Sequence, residues 1–177
     1  MRNALTLAAL VALAPAAALS KPWNGIDPGT SKRDEVIKKF GEPSKVVKAE
    51  PKETLAYLGD KAIKGTTQVQ FKIDAASGTV ERIDVFPAPV IDKDMVESSY
   101  GPACPASGSG SSKDPCYVKK ITDNFKTYFI YPKLGLAVFF KDDNKIVSSL
   151  VYTSIPGGSK ASGGGTAGTA SPPSGEK

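Results

Sequence analysis

The sequence predicts an α+β protein of two tandem units, each a short helix packed on an antiparallel β-sheet. Three observations carry this prediction. A short amphipathic run ending in an aromatic residue and Gly occurs twice, as Val36…Phe40-Gly41 and as Val96…Tyr100-Gly101. Each is followed by four extended runs rich in β-branched and aromatic residues. The last two runs of each set align without a gap. Val69, Phe71 and Ile73 match Leu136, Val138 and Phe140, and Val80, Ile83 and Val85 match Val147, Leu150 and Tyr152.

The chain divides in order as follows. Residues 1–20 have a positive start, an uncharged run over 4–19 and small residues before Ser20/Lys21, which is the pattern of a secretory signal peptide. The first unit spans 21–87. Asp27-Pro28-Gly29 marks a turn, and Thr30 or Ser31 caps a helix over 31–40 whose first turn holds Asp34 and Glu35. Gly41 accepts a left-handed conformation and Pro43 stops the helix. Strands follow over 44–50, 53–58, 66–74 and 80–86, the third with polar and apolar residues alternating.

The second unit spans 88–156, with strands over 116–122, 125–131, 134–142 and 145–153. It carries extra residues within "PACPASGSGSSKDPC", and a shorter middle hairpin in which "PKLG" replaces "GDKAIKGTT". The two units pack side by side, with their sheets joined or adjacent. Residues 157–177 hold no apolar side chain larger than Ala and read as a disordered Gly/Ser-rich tail.

Charge excludes little but points away from nucleic acid. The formal net charge is +5, with 23 Lys and Arg against 18 Asp and Glu. The two signs are interspersed, and no basic stripe interleaves with aromatics. No segment after residue 20 has the length and apolarity of a membrane span. The expected location is outside the cytoplasm, periplasmic or extracellular, and peripheral association with the envelope is allowed. In that compartment Cys104 and Cys116 pair as a disulfide closing the inserted loop. A metal pair is the weaker reading, since the chain has no His and no second Cys pair.

The stretch "GIDPGTSKRDEVIKKFGEP", followed by an aromatic strand and a final hairpin, resembles the small outer-membrane assembly lipoproteins of the BamE/SmpA type. It is similar also to their tandem relative, the β-lactamase-inhibitor-protein type. The shared features are a Gly-x-x-Pro-Gly turn, a Thr/Ser-x-x-x-Val helix and a Gly-x-Pro stop. They cover residues 23–86 well and 88–153 loosely. The resemblance implies a non-catalytic binding module. The tandem inhibitor type grips an enzyme with a concave sheet face and hairpin loops and carries a disulfide in each unit. This chain has one Cys pair and no lipid-anchor Cys, and no position matches an inhibitory motif.

An enzyme is not expected. Without His there is no His-based triad, and the Gly runs do not open a helix as a phosphate loop does. Asp142-Asp143 lies in "KDDNK", which reads as turn chemistry before catalytic or calcium chemistry. No cofactor or metal is expected.

The more informative feature is an asymmetry. Opposite Val69, Phe71 and Ile73 lie Gln68, Gln70 and Lys72, whereas the matching positions of the second unit include Ala137 and Phe139. Val151 stands where the first unit has Asp84, with Tyr128 and Tyr131 nearby on a strand whose facing one residue of slip would invert. Phe139, Val151 and Tyr128 are therefore candidate partner contacts on an apolar sheet face; the competing reading has the first unit or the inserted loop covering that face. The function expected is that of an exported protein-binding module, inhibitor-like or envelope-assembly-like. The alternative is a structural component of the cell envelope.

Overall fold

The structure is a computed structural model that describes residues 21–105, 115–123 and 125–155. The expected signal peptide, the tail and most of the inserted loop lie outside the described residues. Helix α1 is Arg33–Phe40 and α2 is Lys93–Tyr100. The strands are β1 Lys45–Ala49, β2 Lys52–Leu58, β3 Thr66–Asp74, β4 Val80–Pro87, β5 Val118–Ile121, β6 Thr127–Tyr131, β7 Leu136–Phe140 and β8 Val147–Thr153. Short 3-10 turns at Gly59–Lys61 and Pro132–Leu134 connect β2 to β3 and β6 to β7.

The architecture corrects the expectation of two tandem helix-on-sheet units. All eight strands form one antiparallel sheet in the order β1-β2-β3-β4-β8-β7-β6-β5, with two helices. The joint is between β4 and β8, where Arg82, Ile83, Asp84 and Val85 face Thr153, Tyr152, Val151 and Leu150. Separated at this joint, β4 and β8 would each expose a row of unpaired backbone groups along a strand whose buried side chains belong to the core. Pairing them satisfies those groups and continues the core across the joint.

Residues along each strand alternate between two faces. One face carries Leu55 and Tyr57, Val69, Phe71 and Ile73, Ile83 and Val85, Leu150 and Tyr152, Leu136 and Val138, and Phe129 and Tyr131. These residues are buried in a single cluster that includes Val36 of α1 and Val96 of α2. Both helices thus seat on this face. On α1 an acidic first turn, Asp34 and Glu35, and a basic last turn, Lys38 and Lys39, suit the helix dipole. Arg33 fixes α1 to β2 through two hydrogen bonds to Glu53, at 3.0 and 3.3 Å.

The helix starts differ from each other. Asp92 caps α2, its carboxylate accepting from the Met95 amide at 2.8 Å. For α1 the expected cap at Thr30 or Ser31 is not made, and the N-cap is Lys32, whose side chain makes no capping hydrogen bond. The Ser31 hydroxyl instead accepts from the Asp27 amide, and the Ser31 carbonyl accepts from the Val80 amide. The serine is spent on tying the turn to β4.

The helix stops repeat closely. Gly41 has φ 77° and ψ −168°, and Gly101 has φ 109° and ψ 160°. This is the extended region of positive φ, which is essentially open to Gly alone, and not the left-handed helical region expected for Gly41. Each Gly carbonyl accepts a buried tyrosine hydroxyl: Tyr57 to Gly41 at 2.8 Å and Tyr131 to Gly101 at 3.0 Å. The aromatic residue ending each helix packs on the same tyrosine, Phe40 on Tyr57 and Tyr100 on Tyr131.

Cys104 and Cys116 form the expected disulfide. It holds Pro102–Cys104 beside Tyr117, the residue before β5, where the Tyr117 amide donates to the Pro102 carbonyl and the Cys104 amide donates to the Tyr117 carbonyl. Tyr117 stacks on Phe129 at 3.7 Å and donates its hydroxyl to Glu97 at 2.7 Å.

Two outcomes follow from this packing. Gly41→Ala should cost about 1–3 kcal/mol in urea unfolding, from backbone strain alone, since a Cβ there meets nothing within 4 Å. Gly101→Ala should cost more, because its Cβ would lie 2.0 Å from the Pro115 carbonyl oxygen. The second outcome concerns alkali. Burial raises the phenol pKa of Tyr57, Tyr131 and Tyr152, and burial with the Glu97 hydrogen bond raises that of Tyr117 to about 12. The folded state therefore holds these protons longer than the unfolded chain, whose tyrosines titrate near 10. Their contribution to stability is complete below about pH 10 and declines as pH rises toward 12. A spectrophotometric titration should show these phenols ionising together with alkaline unfolding.

Candidate functional site

The second face of the sheet receives none of the side chains that α1 and α2 bury in the core. A single row of register partners crosses it: Ala56, Gln70, Asp84, Val151, Ala137, Ile130 and Val118. Its polarity changes at the β4–β8 joint. On the β4 side stand Gln70 and Asp84, and on the β8 side every member is apolar. The neighbouring rows are mixed: Arg82 faces Thr153 across the joint, and Phe139 faces Ser149. Lys72 faces Arg82, while Tyr128 faces Phe139.

The polar half is closed upon itself. Asp84 is 5% exposed, and its carboxylate accepts from Arg82 Nε at 2.6 Å and from Lys72 Nζ at 3.2 Å. A buried carboxylate with two cations is neutralised in place. The apolar half has no such closure. The Tyr128 and Phe139 rings stack at 5.0 Å with 10° between planes, both half-buried. Beside them Ile130, Ala137, Val151 and Thr153, with Pro132, Gly135 and Ser154, line a depression of ≈ 360 Å³.

Of the three candidate contacts, Tyr128 and Phe139 come together as a ring pair on this face. Val151 lies on the same face but is 6% exposed, so it forms the floor of the depression. Tyr131 points the other way and is fully buried in the core. Ile130 and Thr153 belong to the face but carried no signal in the sequence beyond strand parity. Phe86, half-buried, adds an aromatic ring to the β4 side, where the sequence reading had a solvated surface.

Two carboxylates outside this face, Asp143 and Asp74, serve turns. Asp143 accepts from the amides of Lys145 and Ile146, and Asp74 accepts from the amide and hydroxyl of Ser77. These hydrogen bonds hold both carboxyls below their usual pKa range. Asp142 pairs with Lys126 at 3.1 Å. Among the described residues no group of three or more His, Cys, Asp or Glu is placed to hold a metal ion. Likewise, no helix among them is long and apolar enough to cross a membrane. The chain matches no known protein family, no curated protein and no solved structure.

Val151→Asp would set a second carboxylate directly opposite Asp84 in the register, at a buried position. We expect it to destabilise the fold by about 3 kcal/mol at pH 7, and by less at pH 4, where the new carboxyl can take up a proton. Urea unfolding at the two pH values checks both the size and the sign.

Proposed function

We propose that this chain is an exported, non-catalytic protein-binding module that contacts its partner through the open sheet face of β6, β7 and β8. The observation that carries the reading is the change in polarity at the β4–β8 joint. The same sheet face is self-neutralised on one side and apolar on the other, with a stacked ring pair standing beside a depression. An aromatic pair on a rigid, half-desolvated surface is the composition of an interface hot spot. The scaffold suits the role, because all of these side chains stand on strands whose other face is locked into the core. Export is supported by the leader-like residues 1–20 and by the disulfide. The sequence resemblance to envelope assembly lipoproteins and to the β-lactamase-inhibitor type points to the same class of function.

The second reading, a structural component of the cell envelope, draws on that resemblance alone. It expects co-fractionation with the envelope and no stoichiometric soluble partner.

Phe139→Asp tests the first reading. Phe139 is half-buried and lies outside the core cluster, so the variant should keep its circular dichroism and a cooperative melt. Its affinity for the partner recovered from the exported fraction should fall by about 30-fold or more. Gln70→Ala, on the polar half, should leave affinity within about threefold. A folded Phe139→Asp protein that binds like wild type would remove this face from the interaction.

A further inference from the structure

The connections β2–β3, β3–β4, β5–β6, β6–β7 and β7–β8 each contain a residue with positive φ, Gly59 and Gly65 in the first and Gly135 in the fourth. In the β3–β4 turn it is Gly78, with φ 66°, and in the β7–β8 turn it is Asn144, with φ 54°. In the β5–β6 turn it is Phe125, with φ 61°. Gly and Asn are the residues that tolerate this region; a bulky side chain there is strained.

The turn is firmly closed. The Thr122 amide donates to the Lys126 carbonyl at 2.9 Å, the Phe125 amide to the Thr122 carbonyl at 2.9 Å, and the Lys126 amide to the Thr122 hydroxyl at 3.0 Å. Three residues separate Thr122 from Lys126, and Gly is the preferred residue at the left-handed end of such a loop. Packing does not offset the strain. Phe125 is 86% exposed, the most exposed of the large hydrophobic residues described. The strained backbone therefore holds an aromatic ring out into solvent on a fixed mount.

The surroundings select among ligands. Ile121, 62% exposed, adds apolar surface at the end of β5. Lys119 and Lys120 stand on the same strand, Lys126 is paired with Asp142, and Asp123 and Asp143 lie in this and the adjacent turn. Carboxylates stand among the lysines here, and a single ring gives little purchase in a bilayer. A folded protein with an apolar pocket and a rim of both charges fits the arrangement. We propose that Phe125 is an anchor residue that inserts into such a pocket on a protein partner. This site lies outside the open face and stands independently of it.

The test uses the full mature chain with the photo-reactive residue p-benzoylphenylalanine in place of Phe125 or, as a control, of Val90, which is 70% exposed. After irradiation in the exported fraction of the source cells, position 125 should give one discrete protein adduct and position 90 none. Excess wild-type chain should suppress the adduct and excess Phe125→Gly should not. The cross-linked protein, purified, should bind Phe125→Gly at least about tenfold more weakly than wild type, and Phe125→Tyr within about threefold. Phe125→Gly should melt no lower than wild type, because Gly accepts the positive φ. Phe139→Asp serves as a separate competitor, so a failure of the open face is read apart from a failure of the turn. Four results would each overturn the proposal: no discrete protein adduct at 125, an adduct to lipid, equal competition by Phe125→Gly, or a melting temperature lowered by more than about 3 °C.

Discussion

The pairing of β4 with β8 is the contact on which the rest of the molecule depends. Four residue pairs join strands that lie far apart in sequence. On one face the pairs Ile83–Tyr152 and Val85–Leu150 carry the core across the joint, so that Val36 and Val96 enter one cluster. On the other face Asp84 meets Val151, and the surface changes there from ion-paired to apolar. A four-stranded half with one short helix would have little apolar surface to bury, and its inner strand would be an unprotected edge. Joining the halves removes two edges at once.

The two edges that remain are treated differently from the joint. β1 and β5 are the shortest or most exposed strands, and each carries two lysines, Lys45 and Lys48 on one and Lys119 and Lys120 on the other. Exposed edge lysines resist pairing with another sheet, since a second strand would have to desolvate them. Just before β5, Pro102–Cys104 pairs with Tyr117, held there by the disulfide. The joint carries the opposite composition, Ile83, Val85, Leu150 and Tyr152, which is why it closes and the outer edges do not.

Much of the local structure was legible in the sequence. Helix ends were marked by Gly41 and Gly101, and the eight extended runs matched the strands to within two residues at most ends, because alternation and turn residues are local signals. Long-range pairing has no such signal, so the joint that merges the sheet was not readable beyond its two alternatives. The facing of Tyr128 and Tyr131 was hidden for the same reason: strand parity is known only once a neighbour fixes the register. Ser31 misled because a serine before a helix has two acceptors, and here both serve the turn and β4. Phe125 escaped notice because a phenylalanine beside Thr127 and Tyr128 reads as the first residue of a strand, whereas it is the last residue of a strained turn.

Native-state amide exchange followed by NMR in increasing urea tests the joined sheet most directly. If β4–β8 pairing holds the molecule together, the protected amides of β4 and β8 exchange only through global unfolding, in step with those of β3 and β7, and a single transition is seen. Joint amides that exchange well before those of β3 and β7, or two separate unfolding transitions for residues before and after Pro87, would show that the halves stand on their own and would contradict the account.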